Sequence, residues 1–219
     1  MFQKFTYSII LSGLTTGLFA QKIMNEGVIT YQIAIESTKG EKQVASALNG
    51  ATVTLFVTKD RSRTEMVSTP GTETTVFDNK TGTGYILKEY SGQKLMITTT
   101  KANWEQKNQS NSALKFTIDD NTTNILGYNC KKAVATADGK QYTVYFDPSI
   151  IIANKNYNNA FPQLPGLPVQ YELSSGNLNF KYSLLKYSFE GILASKFDAP
   201  KAGFRTMTYE ENQQLKRGE

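Results

Sequence analysis

The chain has no histidine, one cysteine (Cys130) and one tryptophan (Trp104). Without histidine, the usual general base near neutral pH and the commonest metal ligand are missing. Ser-His-Asp and Cys-His nucleophile arrangements therefore cannot be built within one chain. A lone cysteine makes no internal disulfide, so the core must hold without one. Charge of one sign is also scarce, with 24 Lys and Arg against 19 Asp and Glu. The lysines are scattered, whereas nucleic-acid binding calls for a clustered basic stripe, so no nucleic-acid partner is expected. The densest basic run, "KDRSR" from Lys59 to Arg63, reads as a solvated turn. A Ser-Lys or paired-carboxylate mechanism stays open in principle. The acidic residues occur mostly singly, however, with Asp119-Asp120 in a turn-like run. No catalytic residue, metal site or cofactor motif stands out, and the expectation is a protein that is not an enzyme.

Long apolar runs are missing too, except at the start. Met1 to Lys4 is short and basic, Phe5 to Phe19 carries no charge, and Ala20 precedes Gln21. This is the pattern of a secretory signal peptide, with cleavage expected between Ala20 and Gln21. Leu18 is an imperfect residue for the −3 position. The run is shorter than the ~20 residues of a spanning helix, which argues against a membrane anchor. No other segment could span a membrane. Residues 21–219 then form one domain, exported to the periplasm or associated with the outer membrane.

What is present is strand chemistry. Threonine abounds, and Val, Ile, Tyr and Phe recur at period two. In "GVITYQIAIE", Ile29, Tyr31, Ile33 and Ile35 share one face; in "ATVTLFVTK", Val53, Leu55 and Val57 do. Further strands are expected at Arg63–Ser68, Thr72–Asp78, Thr83–Tyr90, Gln93–Thr99, Lys115–Ile118, Cys130–Ala137, Gln141–Phe146, Val169–Leu173 and Leu178–Phe189. "DNKTG", "SGQ", "ADGK" and "SSGN" supply the turns, and Asp138-Gly139 is a two-residue hairpin signal. About ten or eleven antiparallel strands in a meander should curl into a half-barrel or barrel. Helices are few. Helical character is expected from Thr206, with a short polar helix at Tyr209–Arg217. Lys101–Ser112 reads as a polar helix or loop anchored by Trp104, and Tyr157–Phe161 as one turn.

Proline is rare, yet three of the six prolines (Pro162, Pro165, Pro168) fall in "FPQLPGLPVQYE". Proline at every third position favours polyproline II and removes N–H donors, which argues against a central strand. Three readings compete. The stretch is a ligand for an SH3-like groove, a structural strap over the curled sheet with Leu164 and Leu167 buried, or the same strap gating an apolar cavity.

"QLPGLPVQYE" resembles the motif of the GLPGLI family of exported proteins, found mainly in Bacteroidetes. The likeness extends to "EGVITYQIAIE" (Glu26 to Glu36), to "TVFDNKTGTGYIL" (Thr75 to Leu87) and to the segment from Asn121 to Ile150 around "LGYNCKKA". Leu164, Pro165, Gly166, Leu167 and Pro168 carry the motif itself. Gln163 replaces the family's first Gly, and Pro168 replaces its Ile. The resemblance implies a fold similar to the LolA-like half-barrel, a mainly β single curled antiparallel sheet with a few short helices and a proline-rich strap. It carries over no biochemical activity, and fold likeness alone does not give lipid carriage.

Cys130 shares parity with Leu126, Tyr128 and Val134 and is expected inside, as a small hydrophobe. Lys132 shares that parity, which points to a bulge or to a charge facing an anionic headgroup. Gly127 is expected at a bulge or a close backbone approach. The sequons at Asn79, Asn108 and Asn121 read as chance in Asn- and Thr-rich turns. The candidate ligand-binding residues are Ile29, Tyr31, Ile33, Val53, Leu55, Phe180 and Tyr182, drawn from strands expected to lie far apart around the arc. Two functions follow. One is an envelope binding module for a lipid or other apolar ligand. The other is a structural protein with a self-filled core that acts on an envelope protein partner.

Overall fold

The computed structural model describes residues 21–37, 42–112, 114–137, 140–157 and 160–217. The expected leader, the Asp138-Gly139 pair and two residues of the turn expected at 157–161 lie outside the described residues. The first strands are β1 (Lys22–Met24), β2 (Gly27–Ser37), β3 (Thr52–Val57), β4 (Arg61–Ser68), β5 (Gly71–Asp78), β6 (Thr83–Tyr90) and β7 (Gln93–Thr99). The second set is β8 (Thr117–Ile125), β9 (Tyr128–Ala137), β10 (Lys140–Asp147), β11 (Ile150–Ile152), β12 (Leu167–Ser175), β13 (Leu178–Ser188) and β14 (Arg205–Thr208). Helices α1 (Lys42–Leu48), α2 (Lys101–Ser112) and α3 (Tyr209–Arg217) complete the chain.

Alternation builds these strands. Along β2, Ile29, Tyr31, Ile33 and Ile35 are buried while Gln32, Ala34 and Glu36 are exposed. The result is a 12-stranded sheet in the order β14-β7-β6-β5-β4-β3-β2-β13-β12-β10-β9-β8. It is curled. Tyr128 of β9 and Tyr187 of β13 have ring centroids 6.1 Å apart with β10 and β12 between them. Three flat strand spacings would span about 14 Å.

The sheet is mainly β and single, as expected, but it is not a plain meander and it has more strands. β2 to β7 run in sequence, and then the chain crosses back and β13 pairs antiparallel with β2. β14 adds parallel to β7, and β1 pairs parallel with β11 in a separate ribbon. Period-two patterning says which side chains share a face; it does not say which strand lies alongside.

Several expectations are corrected. Thr206 lies in strand β14, and helix α3 begins only at Tyr209. The "DDNTTN" run is strand β8, exposed almost throughout because it is the sheet edge. Its register slips between Asp119 and Thr122, and with two aspartates this blunts the edge against foreign pairing. Lys132 does not share the inward row. It lies opposite Tyr145, in line with Gln170 and Ser183, while Ala133 lines up with Val144, Tyr171 and Tyr182. Gly127 is a turn residue at φ 87°, not a bulge.

The proline stretch also departs from expectation. Pro168 is fully buried inside β12, which lies between β10 and β13. The central position is tolerated because the β10 register shifts at Tyr145/Phe146, and pairing with β13 begins only at Gln170. Before it, Leu164 and Leu167 are buried and Pro165 is exposed. Gly166 is needed for close approach, because a Cβ there would lie 2.5 Å from both the Asp147 carbonyl oxygen and the Phe146 ring.

The main core lies on the inner face, where Ile29, Tyr31, Ile33, Val144, Phe146, Phe161, Leu164, Leu167 and Val169 form one cluster. On the outer face, residues 192–204 cross the first half of the sheet. Phe197 packs there with Val76, Tyr85 and Leu87, and the Tyr85 hydroxyl donates to the Asp198 carbonyl at 2.7 Å.

Candidate functional site

The inner face is closed over one half only. The described residues of 153–166 form a strap held down by three asparagines. Asn154 Nδ2 donates to the Thr58 carbonyl at 2.9 Å, and Asn79 Nδ2 donates to Asn154 Oδ1 at 2.8 Å. Asn156 Nδ2 donates to Asn79 Oδ1 at 3.0 Å. These bonds tie the strap to the β3–β4 and β5–β6 turns. Beneath it stands an aromatic stack. Tyr171 and Tyr182 stack at 4.6 Å, and Tyr31 meets Tyr171 edge-on at 5.7 Å. Phe161 meets Tyr171 edge-on at 5.0 Å. The Tyr31 hydroxyl donates to the Pro168 carbonyl at 2.7 Å, so its buried polar atom is satisfied. Burial pushes the Tyr31 hydroxyl pKa well above its ordinary value, with Tyr157 and Tyr171 adding to the shift.

Over the other half sits α2. Its start is set by reciprocal bonds between Thr100 and Asn103, in the manner of a capping box. Asn103 Nδ2 reaches on to Glu210 of α3 at 2.6 Å. The helix is polar, and Trp104 anchors it by stacking flat on Phe77 with centroids 4.0 Å apart.

Between strap, helix and sheet a cleft of about 240 Å³ is left open. Its apolar wall is Val53, Leu55, Met66, Tyr171, Leu173 and Tyr182. Its polar wall is Ser62, Thr64, Glu73, Thr75, Lys107 and Asn156. The register explains the change of character, since Leu55 lies opposite Thr64, and Thr64 opposite Thr75. Glu73 pairs with Lys88 of β6 at 3.6 Å. A wider opening of about 720 Å³ adjoins it, bounded by Phe77, Asn79, Lys101, Glu105, Pro162 and Gln163. Trp104 and Asn156 belong to both walls. The arrangement offers apolar contact on one side and hydroxyl, amide and charged contact on the other. Among the described residues no three cysteine, aspartate or glutamate side chains converge as a metal site would require.

The seven candidate residues fall on adjacent strands, not far apart around an arc. Ile29 lies opposite Leu55 and Tyr31 opposite Val53, while Ile33 lies opposite Tyr182 and Ile35 opposite Phe180. The arc argument assumed a meander, and the β2–β13 pairing removes it. Val53, Leu55 and Tyr182 line the cleft. Ile29, Tyr31 and Ile33 are fully buried core, and Phe180 is half-buried against it. Tyr157, Tyr171, Leu173, Met66, Thr64, Thr75, Glu73 and Lys107 also line the cleft and were not among the candidates. The alternation of β4 and β5 carries the threonines; nothing local marks the strap residues.

No family model matches the chain, and no curated protein matches it. Solved structures do. An uncharacterized conserved protein from Thermus thermophilus matches with a TM-score of 0.52 at 10% identity, over 84% of this chain and 91% of that one. The likeness is one of fold. A PNGF-II structure matches with a TM-score of 0.47 at 13% identity over 87% of this chain. The chain spans about a third of PNGF-II, 33% of its length. LprF from Mycobacterium bovis matches with a TM-score of 0.34 at 11% identity, over 75% of this chain and 86% of that one.

Proposed function

We propose that this chain is an exported cell-envelope protein that binds an amphipathic, lipid-like ligand without catalysis. The observation that carries the reading is the inner-face cleft, where the apolar wall of Val53, Leu55, Met66 and Leu173 meets the polar wall of Thr64, Thr75 and Glu73. Its 240 Å³ lies just below the ~300–1,000 Å³ of ordinary small-molecule pockets. The size favours one short apolar chain, with a polar end in the wider opening beside Lys101 and Gln163. The absence of histidine supports a non-enzymatic role. The resemblance of residues 164–168 to the GLPGLI motif supports export.

Uptake of the lipophilic fluorophore N-phenyl-1-naphthylamine tests the reading. The wild type should take up the probe. Leu55→Trp, which pushes an indole into the cleft, should abolish uptake and leave the melting temperature largely unchanged. A second reading is favoured by the complete burial of Ile29, Tyr31 and Ile33 beneath the strap. On that reading the protein is structural, its core is self-filled, and it acts through its surface on an envelope protein. No uptake by the wild type, together with unfolding of Leu55→Trp, would establish the second reading in place of the first.

A further inference from the structure

Four large apolar side chains stand exposed at one end of the sheet. They are Ile23 at 59%, Leu126 at 52%, Phe189 at 44% and Leu193 at 80%. Contacts tie three of them to one corner. A Cβ on Gly27 would strike the Ser188 carbonyl oxygen and the Met24 side chain, so the chain neighbours Phe189 and Ile23 flank Gly27. The Ile192 N–H donates to Glu26 Oε1 at 2.7 Å, which brings Leu193 to the same corner. The aromatic run Phe189–Tyr187–Tyr128, with centroid distances of 6.0 and 6.1 Å, leads to the β8–β9 turn. Leu126 is at its tip.

Leu126 is the telling residue. It and Gly127 form a two-residue hairpin turn with φ of 54° and 87°, closed by the Ile125–Tyr128 pair. Such turns favour Asn-Gly, because both central residues need positive φ. A leucine there is conformationally costly, and about half of its surface stays open to solvent. A strained position that presents an apolar side chain to solvent points to a use outside the molecule.

The occupant is indicated by where the undescribed chain attaches. The apolar run from Phe5 to Phe19 joins the described chain at Gln21, and the Gln21 side chain donates to the Pro148 carbonyl at 3.2 Å, beside Ile23. The described chain thus starts at this end of the sheet, and an apolar leader inserted in a bilayer before cleavage would hold this end nearest to it. Charges of both signs surround the corner, Lys59, Arg61 and Lys80 against Glu26, Asp60 and Asp78, with Lys22 and Glu190 exposed beside them, so the attraction is mainly apolar. Tyr128 and Tyr187, each apolar in body and polar at the tip, suit the headgroup boundary.

We infer that Ile23, Leu126, Phe189 and Leu193 form a membrane-docking edge by which the mature protein sits on a lipid surface. The inference is independent of the cleft. The test is flotation of the chain beginning at Gln21 with vesicles of phosphatidylethanolamine and phosphatidylglycerol. The wild type should float, with little dependence on salt. Leu126→Asn and Phe189→Ser should each weaken binding about tenfold, the scale of one lost apolar side chain. Leu126→Asn should keep or raise the melting temperature, because Asn suits the turn, so lost binding cannot be put down to misfolding. The Leu55→Trp chain should still float, which keeps this result separate from the cleft reading. A wild type that stays unbound, or variants that bind undiminished, overturns the inference. So does a wild type that forms dimers lost in the variants but ignores vesicles; the edge would then belong to a second copy.

Discussion

The two halves of the inner face are built from one alternating pattern and end up unlike. Under the strap, β2, β13, β12 and β10 present Ile33, Tyr182, Tyr171 and Val144 in one row, and Phe161 and Leu164 cover them. Under α2, β3, β4 and β5 continue the row of Ile29 as Leu55, Thr64 and Thr75, and the helix above is polar with a single aromatic anchor. An apolar floor draws an apolar cover, and open space remains only at its margin, where Tyr171 and Tyr182 border the cleft. A hydroxyl floor under a polar cover gains little from closing, and there the cleft persists. What covers a strand decides whether its inward residues are sealed or border open space.

Truncation in the filled half should give the largest effect. Leu167→Ala should cost ~2–5 kcal/mol, the range for a fully buried leucine, read from urea unfolding. A loss below ~0.5 kcal/mol would mean that the start of β12, where the strap joins it, is not packed as described, and the contrast between the halves would fail.

Alkaline pH should give the next largest effect, through the buried thiol of Cys130, which has the parity of Lys132 and not that of the inward Ala133. Burial pushes the Cys130 thiol up from 9.0 to about 11, Asp147 adds to the rise, and a backbone hydrogen bond from Ile125 opposes it. The folded state therefore keeps a proton that the unfolded state releases. Stability from this group is fully present below about pH 9 and is lost as pH rises through about pH 11. Urea midpoints of the wild type should fall across that window, and Cys130→Ala should flatten the lower part of the fall. The native thiol should also react slowly with a soluble reagent until the protein unfolds. Immediate labelling of the folded protein contradicts the burial on which both expectations rest.

The smallest effect on stability belongs to the cleft half. Thr75→Val should change unfolding by less than ~0.5 kcal/mol, because its side chain borders open space. It should nonetheless alter affinity for N-phenyl-1-naphthylamine, since it converts part of the polar wall. A large stability loss with unchanged probe affinity would show that the floor under α2 is ordinary core.

Much of the fold was legible in particular residues. The alternation at Ile29, Tyr31, Ile33 and at Val53, Leu55 marked two strands and their inward faces, and Trp104 marked the anchor of α2. Edge strand β8 was expected only at its start, as Lys115–Ile118, because the rest of a strand exposed on nearly every residue has the composition of a loop. Helix α1 escaped because seven residues carry too little periodicity. Pro168 argued against a central strand, and the argument failed because a register shift beside it relieves the missing donor. Half of the cleft's apolar wall was legible as well, and none of its polar wall. Val53, Leu55 and Tyr182 came from inward parity. Ile29, Tyr31 and Ile33 have the same parity and are not part of the cleft; Val53 and Leu55 are buried in the same core cluster, and parity cannot tell which members of that core border open space.

By itself the sequence determined that the chain is a mainly β protein without disulfide or histidine chemistry. Those properties follow from residue identity and period two, which are local. Only the tertiary structure decided that β13 lies beside β2 and that the strap seals one half of the inner face. Only it gathered Leu126, Phe189, Ile23 and Leu193 at one end. Each of these depends on which distant segments meet, and strand alternation is the same whichever neighbour a strand finally takes.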